Sequence, residues 1–391
     1  MYDFDKIIDR KGTGAIKYDL AKKRGHSEDE LSLWVADMDF LSADEIIEDL
    51  TKRAAHGIFG YTVPDEEYKH VVASWFEKHH GYRPKEEWFA LSPGVVFALS
   101  NAVRAFTKEG DSVLIQPPVY YPFFNVIKDN DRVVVENGLK YEGGRYSIDF
   151  EDLESKLARE EVKMMIFCTP HNPVGKIWTK EEVTKVATMC AKYGVILAAD
   201  EIHCDFAWEG HEFYSAARLP EELLKNTIIC TAPSKTFNLA GLQISNIFIP
   251  DAKKKAAFER AIYITGYDEP NAFGLVACKS AYSRGENWLA AAKEYIRGNI
   301  NFLNEYVKQN MPELYVVPTE GTYLVWIDFK KTGLSGKELD DFIKDKAKLW
   351  LDEGSIFGGD AGSFQRINVA CSREYLKEAL KRLEKALKAR N

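Results

Sequence analysis

The sequence predicts an α/β fold with a mostly parallel sheet, followed by a smaller α+β domain. Two observations carry this reading. From about residue 93, short β-branched runs alternate with longer stretches of helical period, the pattern of a sheet with helices on both faces. After about residue 285 the character changes to a long charged helix-like region, then the strand-like runs "LYVVP", "TYLVWIDF" and "RINVAC", and a closing helix over 372–389.

Taken in order, residues 1–45 form no complete unit and are expected to pack with the small domain. Residues 46–285 form the large domain and 286–391 the small one. The expected strands of the large domain are "SVLIQ" at 112, "RVVVE" at 132, "KMMIFC" at 163, "VILAAD" at 195, "TIIC" at 227 and "SNIFI" at 245. Between them lie helical stretches such as 179–193, where Thr179 followed three residues later by Glu182 is a capping-box signature. A chain of 391 residues exceeds what one compact core serves, which favours two domains. No internal repeat or low-complexity linker interrupts it.

A net charge of −8, spread along the chain with no basic block, argues against a nucleic-acid partner. The opening "MYDFDKIIDRKG" carries charges where a signal peptide needs an apolar run, and no later run reaches the length of a membrane span, so a soluble, cytoplasmic protein is expected. The six cysteines lie far apart, without CxxC or metal-ligand spacing; they read as reduced core thiols, and no metal is expected.

In open α/β sheets ligands bind beyond the carboxyl ends of the strands, and the residues just after each expected strand are polar and specific. "TPHNPVG" (169–175) follows the run at 163 and places Asn172 in a turn fixed by two prolines and a glycine. "DEIH" (200–203) puts the Asp200 carboxylate at the end of an apolar run, where it could equally cap a helix. "APSK" follows "TIIC" and places Lys235 just past a strand end. Such a lysine is either a solvated surface residue or a nucleophile able to form a Schiff base. Near the first strand, "LSPGVVFALSNAV" (91–103) reads as a tight turn at Gly94 opening a helix whose free N–H groups can receive a phosphate.

Together these segments describe a phosphorylated aromatic aldehyde with a protonated ring nitrogen, which is pyridoxal 5'-phosphate. The order Gly94, Tyr120, Asn172, Asp200, Lys235, Arg366 resembles the fold-type I PLP enzymes of the class I/II aminotransferase family over nearly the whole chain. The resemblance implies the PLP-dependent transferase fold, with a seven-stranded sheet in the large domain. It implies that Lys235 carries the cofactor and then takes the substrate's Cα proton, that Asp200 pairs with the pyridine nitrogen, and that Asn172 bonds the phenolic oxygen. Tyr120 within "PPVYYPFF" would stack on the ring, with Tyr121 the second candidate. The N–H groups of Val95 and Val96, with Ser234, would hold the phosphate. Tyr61 in "FGYTVPDE" matches a tyrosine that reaches the phosphate of a neighbouring subunit, which implies a homodimer with shared sites. Arg366 would fork onto the substrate α-carboxylate, a contact lysine does not reproduce.

Two positions depart from the family pattern. His203 stands where many relatives carry tyrosine, leaving either a cofactor contact or a core role. Gln243 replaces an arginine that meets the phosphate in many members. The segments "WVADMDF" (34–40), "HNPVGKIWTKEE", "DEIHCDF" and "EGTYLVWIDF" are similar to the branch of cystathionine β-lyases and cysteine C-S lyases. That branch implies β-elimination on L-cystathionine or a related cysteine S-conjugate, giving a thiol, pyruvate and ammonia. An aminotransferase using the same site, or a lyase that also contacts a transcription regulator, are the other readings. Trp34 and Asp37 are expected at the substrate entrance, or else in an N-terminal core strand.

Overall fold

The computed structural model describes residues 2–390. Its main sheet has seven strands: β1 (Phe89–Ser92), β2 (Ser112–Ile115), β3 (Val133–Glu136), β4 (Val162–Cys168), β5 (Ile196–Asp200), β6 (Thr227–Thr231) and β7 (Ser245–Phe248), in the spatial order β1-β7-β6-β5-β4-β2-β3. The strands β3, β2, β4, β5 and β6 run parallel, and β7 is antiparallel to both of its neighbours, β6 and the edge strand β1. The central strands are buried on both faces: Met165, Phe167, Leu197 and Ala199 enter one core cluster, and Met164, Ile166, Cys168 and Ala198 the other. The expected capping box is formed, with Thr179 Oγ1 accepting from the Glu182 N–H and the Glu182 carboxylate accepting from the Thr179 N–H. All six cysteines are free and buried, and desolvation raises the thiol pKa of each.

The register of β4, β5 and β6 positions the site. Cys168 lies opposite Asp200, and Asp200 opposite Cys230. Three neighbouring strands therefore end level with one another, and the segments carrying Asn172, Asp200 and Lys235 leave the sheet side by side.

A second, four-stranded antiparallel sheet is built from β8 (Tyr315–Val316), β9 (Leu324–Asp328), β10 (Asp352–Glu353) and β11 (Phe364–Asn368), in the order β8-β9-β11-β10. It is flanked by the long helix Glu286–Asn310 and the closing helix Arg373–Arg390, whose contact buries Leu303, Val307, Leu380 and Leu383. The sequence places Arg366 just ahead of a strand "INVAC"; the strand begins earlier, at Phe364, so Arg366 sits at its centre between Trp326 of β9 and Asp352 of β10.

The N-terminal segment joins this second region through a parallel pairing of Leu31–Ser32 with Leu349–Trp350 and through Phe4, which packs on Phe40, Trp288 and Tyr295. Gly175 closes the turn after β4 at φ +68°, and a Cβ there would lie 3.3 Å from the Thr319 Cα. Its carbonyl accepts from the N–H groups of Glu320 and Gly321, both at 2.8 Å, so only glycine fits this junction without strain. No helix among the described residues is long and apolar enough to cross a membrane.

Candidate active site

Lys235 lies in the one-turn helix Pro233–Thr236 after β6. Its Nζ donates to the Ala36 carbonyl at 2.8 Å. Burial lowers its pKa to about 8, partly opposed by Asp37 and Asp200 and reinforced by Arg366. The helix is anchored from beneath by Asp205, whose carboxylate accepts from Thr236 Oγ1 at 2.6 Å, from Trp75 Nε1 at 3.2 Å and from His80 Nε2 at 2.9 Å. His80, Cys204 and Asp205 lie close enough together to suggest a metal site, but the lone pairs of Asp205 already serve those three donors.

Asp200, 4% exposed at the end of β5, accepts from the Ile202 N–H at 3.2 Å. Desolvation raises its pKa to about 7, with Lys235 pulling it back. Asn172 and Arg366 are brought into contact: Arg366 Nη1 donates to Asn172 Oδ1 at 2.9 Å. That bond fixes the amide and turns its Nδ2 donors the other way. Arg366 Nη2 donates to the Trp34 carbonyl at 2.9 Å and pairs with Asp352 across the strands, while the guanidinium lies 5.0 Å over the Phe357 ring.

His203 is buried with its edge toward Tyr323, at 5.8 Å between ring centroids and 70° between planes. Desolvation and the nearby Lys235 and Arg366 push its pKa far down, which keeps the imidazole neutral, and its Nδ1 has no partner among the described residues. Tyr120 and Tyr121 lie side by side before the helix Pro122–Lys128, half-buried, their rings 5.5 Å apart.

Gly94 caps the helix Val95–Phe106 with no side-chain acceptor over its first N–H groups. The backbone at Gly94 is extended, φ 175° and ψ 159°, rather than the tight turn expected from the sequence. Apart from its chain neighbours, no protein atom lies within 4 Å of where a Cβ at Gly94 would stand, so there is room beside this uncapped helix start. Ser234 is half-buried beside Lys235, and Gln243 is exposed at φ 51°. Tyr61 is 92% exposed and turned away from the chain.

"WVADMDF" contributes chiefly through its backbone. The carbonyl of Trp34 holds Arg366, that of Ala36 holds both Lys235 and the Tyr323 hydroxyl (3.0 Å), and those of Val35 and Asp37 hold Asn368. The Trp34 indole is only 5% exposed and stacks on Trp350, and the Asp37 carboxylate pairs with Arg10 at 2.7 Å. Both side chains are thus engaged within the protein. Ala36, Tyr323 and Asp352 were not singled out from the sequence. A backbone carbonyl has no residue signature, but the alternation that sets Asp352 opposite Arg366 is a signal that pairing the strands would have exposed.

The residues present fit pyridoxal 5'-phosphate. A desolvated carboxyl held near 7 is relieved by a cationic ring nitrogen, a buried amine can hold an aldehyde, and uncapped N–H groups with room beside them can receive a phosphate.

Residues 28–383 match the family model for aminotransferase class I and II. The chain is 41% identical over 385 residues to cystathionine β-lyase PatB of Bacillus subtilis, covering 98% of this chain and all of that one. It is 31% identical to protein MalY of Escherichia coli, with both chains fully covered. The crystal structure of cystalysin from Treponema denticola, which contains a pyridoxal 5'-phosphate cofactor, superposes with a TM-score of 0.97 at 39% identity over the full length of both chains. The chain therefore belongs to the class I and II aminotransferase family of PLP-dependent, fold-type I enzymes, in the branch that holds PatB and MalY.

Proposed function

We propose that this protein is a PLP-dependent carbon–sulfur lyase that splits L-cystathionine, or a related cysteine S-conjugate, with uptake of one water, into a thiol, pyruvate and ammonia. The observation that carries this reading is a buried amine, Lys235, set among Asp200, Asn172 and Arg366 in a chain that aligns end to end with a cystathionine β-lyase.

When bound, pyridoxal 5'-phosphate supplies an aldehyde that captures amines and a ring that draws electrons from the substrate's Cα. Asp200 would hold the ring nitrogen's proton, since a neighbouring cation favours its carboxylate form. Asn172, its Oδ1 committed to Arg366, would present Nδ2 to the phenolic oxygen. The Val95 and Val96 N–H groups and Ser234 would bind the phosphate, and Tyr120 would cover the ring. Arg366, oriented by three contacts, would fork onto the substrate α-carboxylate and hold Cα within reach of Lys235. Lys235 would take the Cα proton: with its pKa lowered to about 8 it has a far larger neutral, proton-accepting fraction near neutrality than an ordinary lysine, and its bond to Ala36 aims it. The neutral His203 would lie alongside without adding charge.

The division into a cofactor domain at 46–285, a small domain at 286–391 and an N-terminal segment packing with the latter is part of the same reading, as is a cytoplasmic location. A homodimer with shared sites is supported by the exposed apolar side chains of Ile58, Phe59, Tyr61 and Val63, which lie on one loop. Pull-down with candidate transcription regulators, repeated with Lys235→Ala protein, separates a binding role from turnover.

The test is the need for an acceptor. Elimination would need no second substrate, whereas transamination would stop after one turnover until a 2-oxo acid is added. L-cystathionine alone should give sustained, equimolar homocysteine, pyruvate and ammonia. A single turnover that resumes on adding a 2-oxo acid would identify an aminotransferase.

A further inference from the structure

Arg24 ends the short helical turn Lys22–Arg24, and its guanidinium carbon lies 4.6 Å from the centre of the Trp34 ring. The same indole is stacked on Trp350 at 4.6 Å and 15°, and Trp350 in turn stacks on His26 at 4.0 Å. Trp34 is the residue whose carbonyl holds Arg366 Nη2. One buried residue thus carries two arginines, an inner one on its backbone and an outer one on its ring.

The surroundings of the two differ. Arg366 is 2% exposed and paired with Asp352. Arg24 is exposed, and among the described residues it enters no ion pair. It is nevertheless near the site, because it covers the ring of Trp34, the residue whose carbonyl holds Arg366. Stacking on a buried, rigid indole limits the freedom of the guanidinium and leaves its N–H edge available to an anion.

Resting on the lyase reading above, we propose that Arg24 is a specificity-determining residue that receives an anionic group at the far end of the S-substituent. A substrate anchored by its α-carboxylate on Arg366 would have its remote carboxylate met by this second, outer arginine. The distal carboxylate of L-cystathionine has that chemistry, and a simple S-alkyl cysteine lacks it.

The experiment compares holoenzyme with its Arg24→Gln and Arg24→Lys variants on two near-isosteric substrates, S-(2-carboxyethyl)-L-cysteine and S-butyl-L-cysteine. The measured quantity is the ratio of their kcat/KM values. An exposed ion pair corresponds to a loss of about three- to fivefold in that ratio for Arg24→Gln, carried by KM, with partial recovery in Arg24→Lys. The wild-type ratio should also shrink with added salt. An unchanged ratio in Arg24→Gln, whether both substrates weaken together or neither does, overturns the proposal. The same ratio of dissociation constants, from spectral titration of the holoenzyme, tests Arg24 even if no thiol is released. Failure of the lyase reading would show separately, as absence of thiol from both substrates with the wild-type enzyme.

Discussion

Lys235 and Ala36, 199 positions apart in the chain, meet through a 2.8 Å hydrogen bond from the lysine amine to the alanine carbonyl. Because the amine of half-buried Lys235 is desolvated and its pKa lowered to about 8, cofactor-free protein should capture pyridoxal 5'-phosphate at a rate that rises with pH through about 8 and then levels. An ordinary lysine would keep gaining up to about 10.4. Stopped-flow absorbance across pH 6.5 to 10 measures this, and a rate still climbing near pH 10 would remove the buried amine from the argument.

Borohydride treatment of the holoenzyme should fix the cofactor covalently to Lys235 and to no other lysine, as read by peptide mapping. Lys235→Ala should retain the fold and lose at least about 10²–10⁴-fold in kcat, the range for loss of a general base. A label on a different lysine would move the site elsewhere.

The parts of this site that announced themselves in the sequence are the ones that ride on strand ends. Asn172, Asp200 and Lys235 each follow an apolar run, and the level register at Cys168, Asp200 and Cys230 explains why three loops far apart in sequence converge. What stayed hidden depends on long-range pairing. Nothing local to "LDEG" shows that Asp352 faces Arg366, nor does "WVADMDF" reveal that its carbonyls, more than its side chains, reach Arg366 and Lys235. Gly94 was legible as a helix start but not as an extended residue, because glycine composition is compatible with either backbone.

The Arg366–Asp352 pair is buried on both sides, 2% and 5% exposed, so removing one partner strands a charge. Arg366→Ala should raise KM for L-cystathionine and cost about 3–5 kcal/mol of stability, whereas Arg366→Met combined with Asp352→Leu should be far less destabilised. Denaturant unfolding of Arg366→Met, Asp352→Leu and the double, against the unsubstituted protein, forms the cycle. Additive losses would mean the two charges are not coupled.

Tyr61 is 92% exposed while the Thr62 hydroxyl pins its loop to the Pro270 carbonyl at 2.8 Å. If the tyrosine reaches a phosphate across a dimer, Tyr61→Phe should weaken cofactor retention by about 1.5–3 kcal/mol, the range for a hydrogen bond to a charged group. Dialysis against cofactor-free buffer, with light scattering for mass, reads both quantities. A fully active monomer at assay concentration would refute the shared site.

Asp200 makes the last prediction, because its pH dependence differs between loaded and cofactor-free protein. In the cofactor-free chain burial raises its pKa from 3.8 to about 7. The folded state then binds more protons than the unfolded state between those values, so this group's contribution to stability is fully present below pH 4 and is lost as pH rises through about 7. A cation beside Asp200 favours its carboxylate and opposes that loss. Cofactor-free protein should therefore show a falling contribution to stability from pH 4 to 7 that Asp200→Asn reduces, the remainder including Glu201, which burial raises to about 8, and loading should flatten the same slope in the unsubstituted protein. Urea titrations at half-unit pH steps on the three forms provide the comparison. A slope equally steep in Asp200→Asn would show that some other buried group is responsible, and that Asp200 is not the residue poised to hold the ring nitrogen's proton.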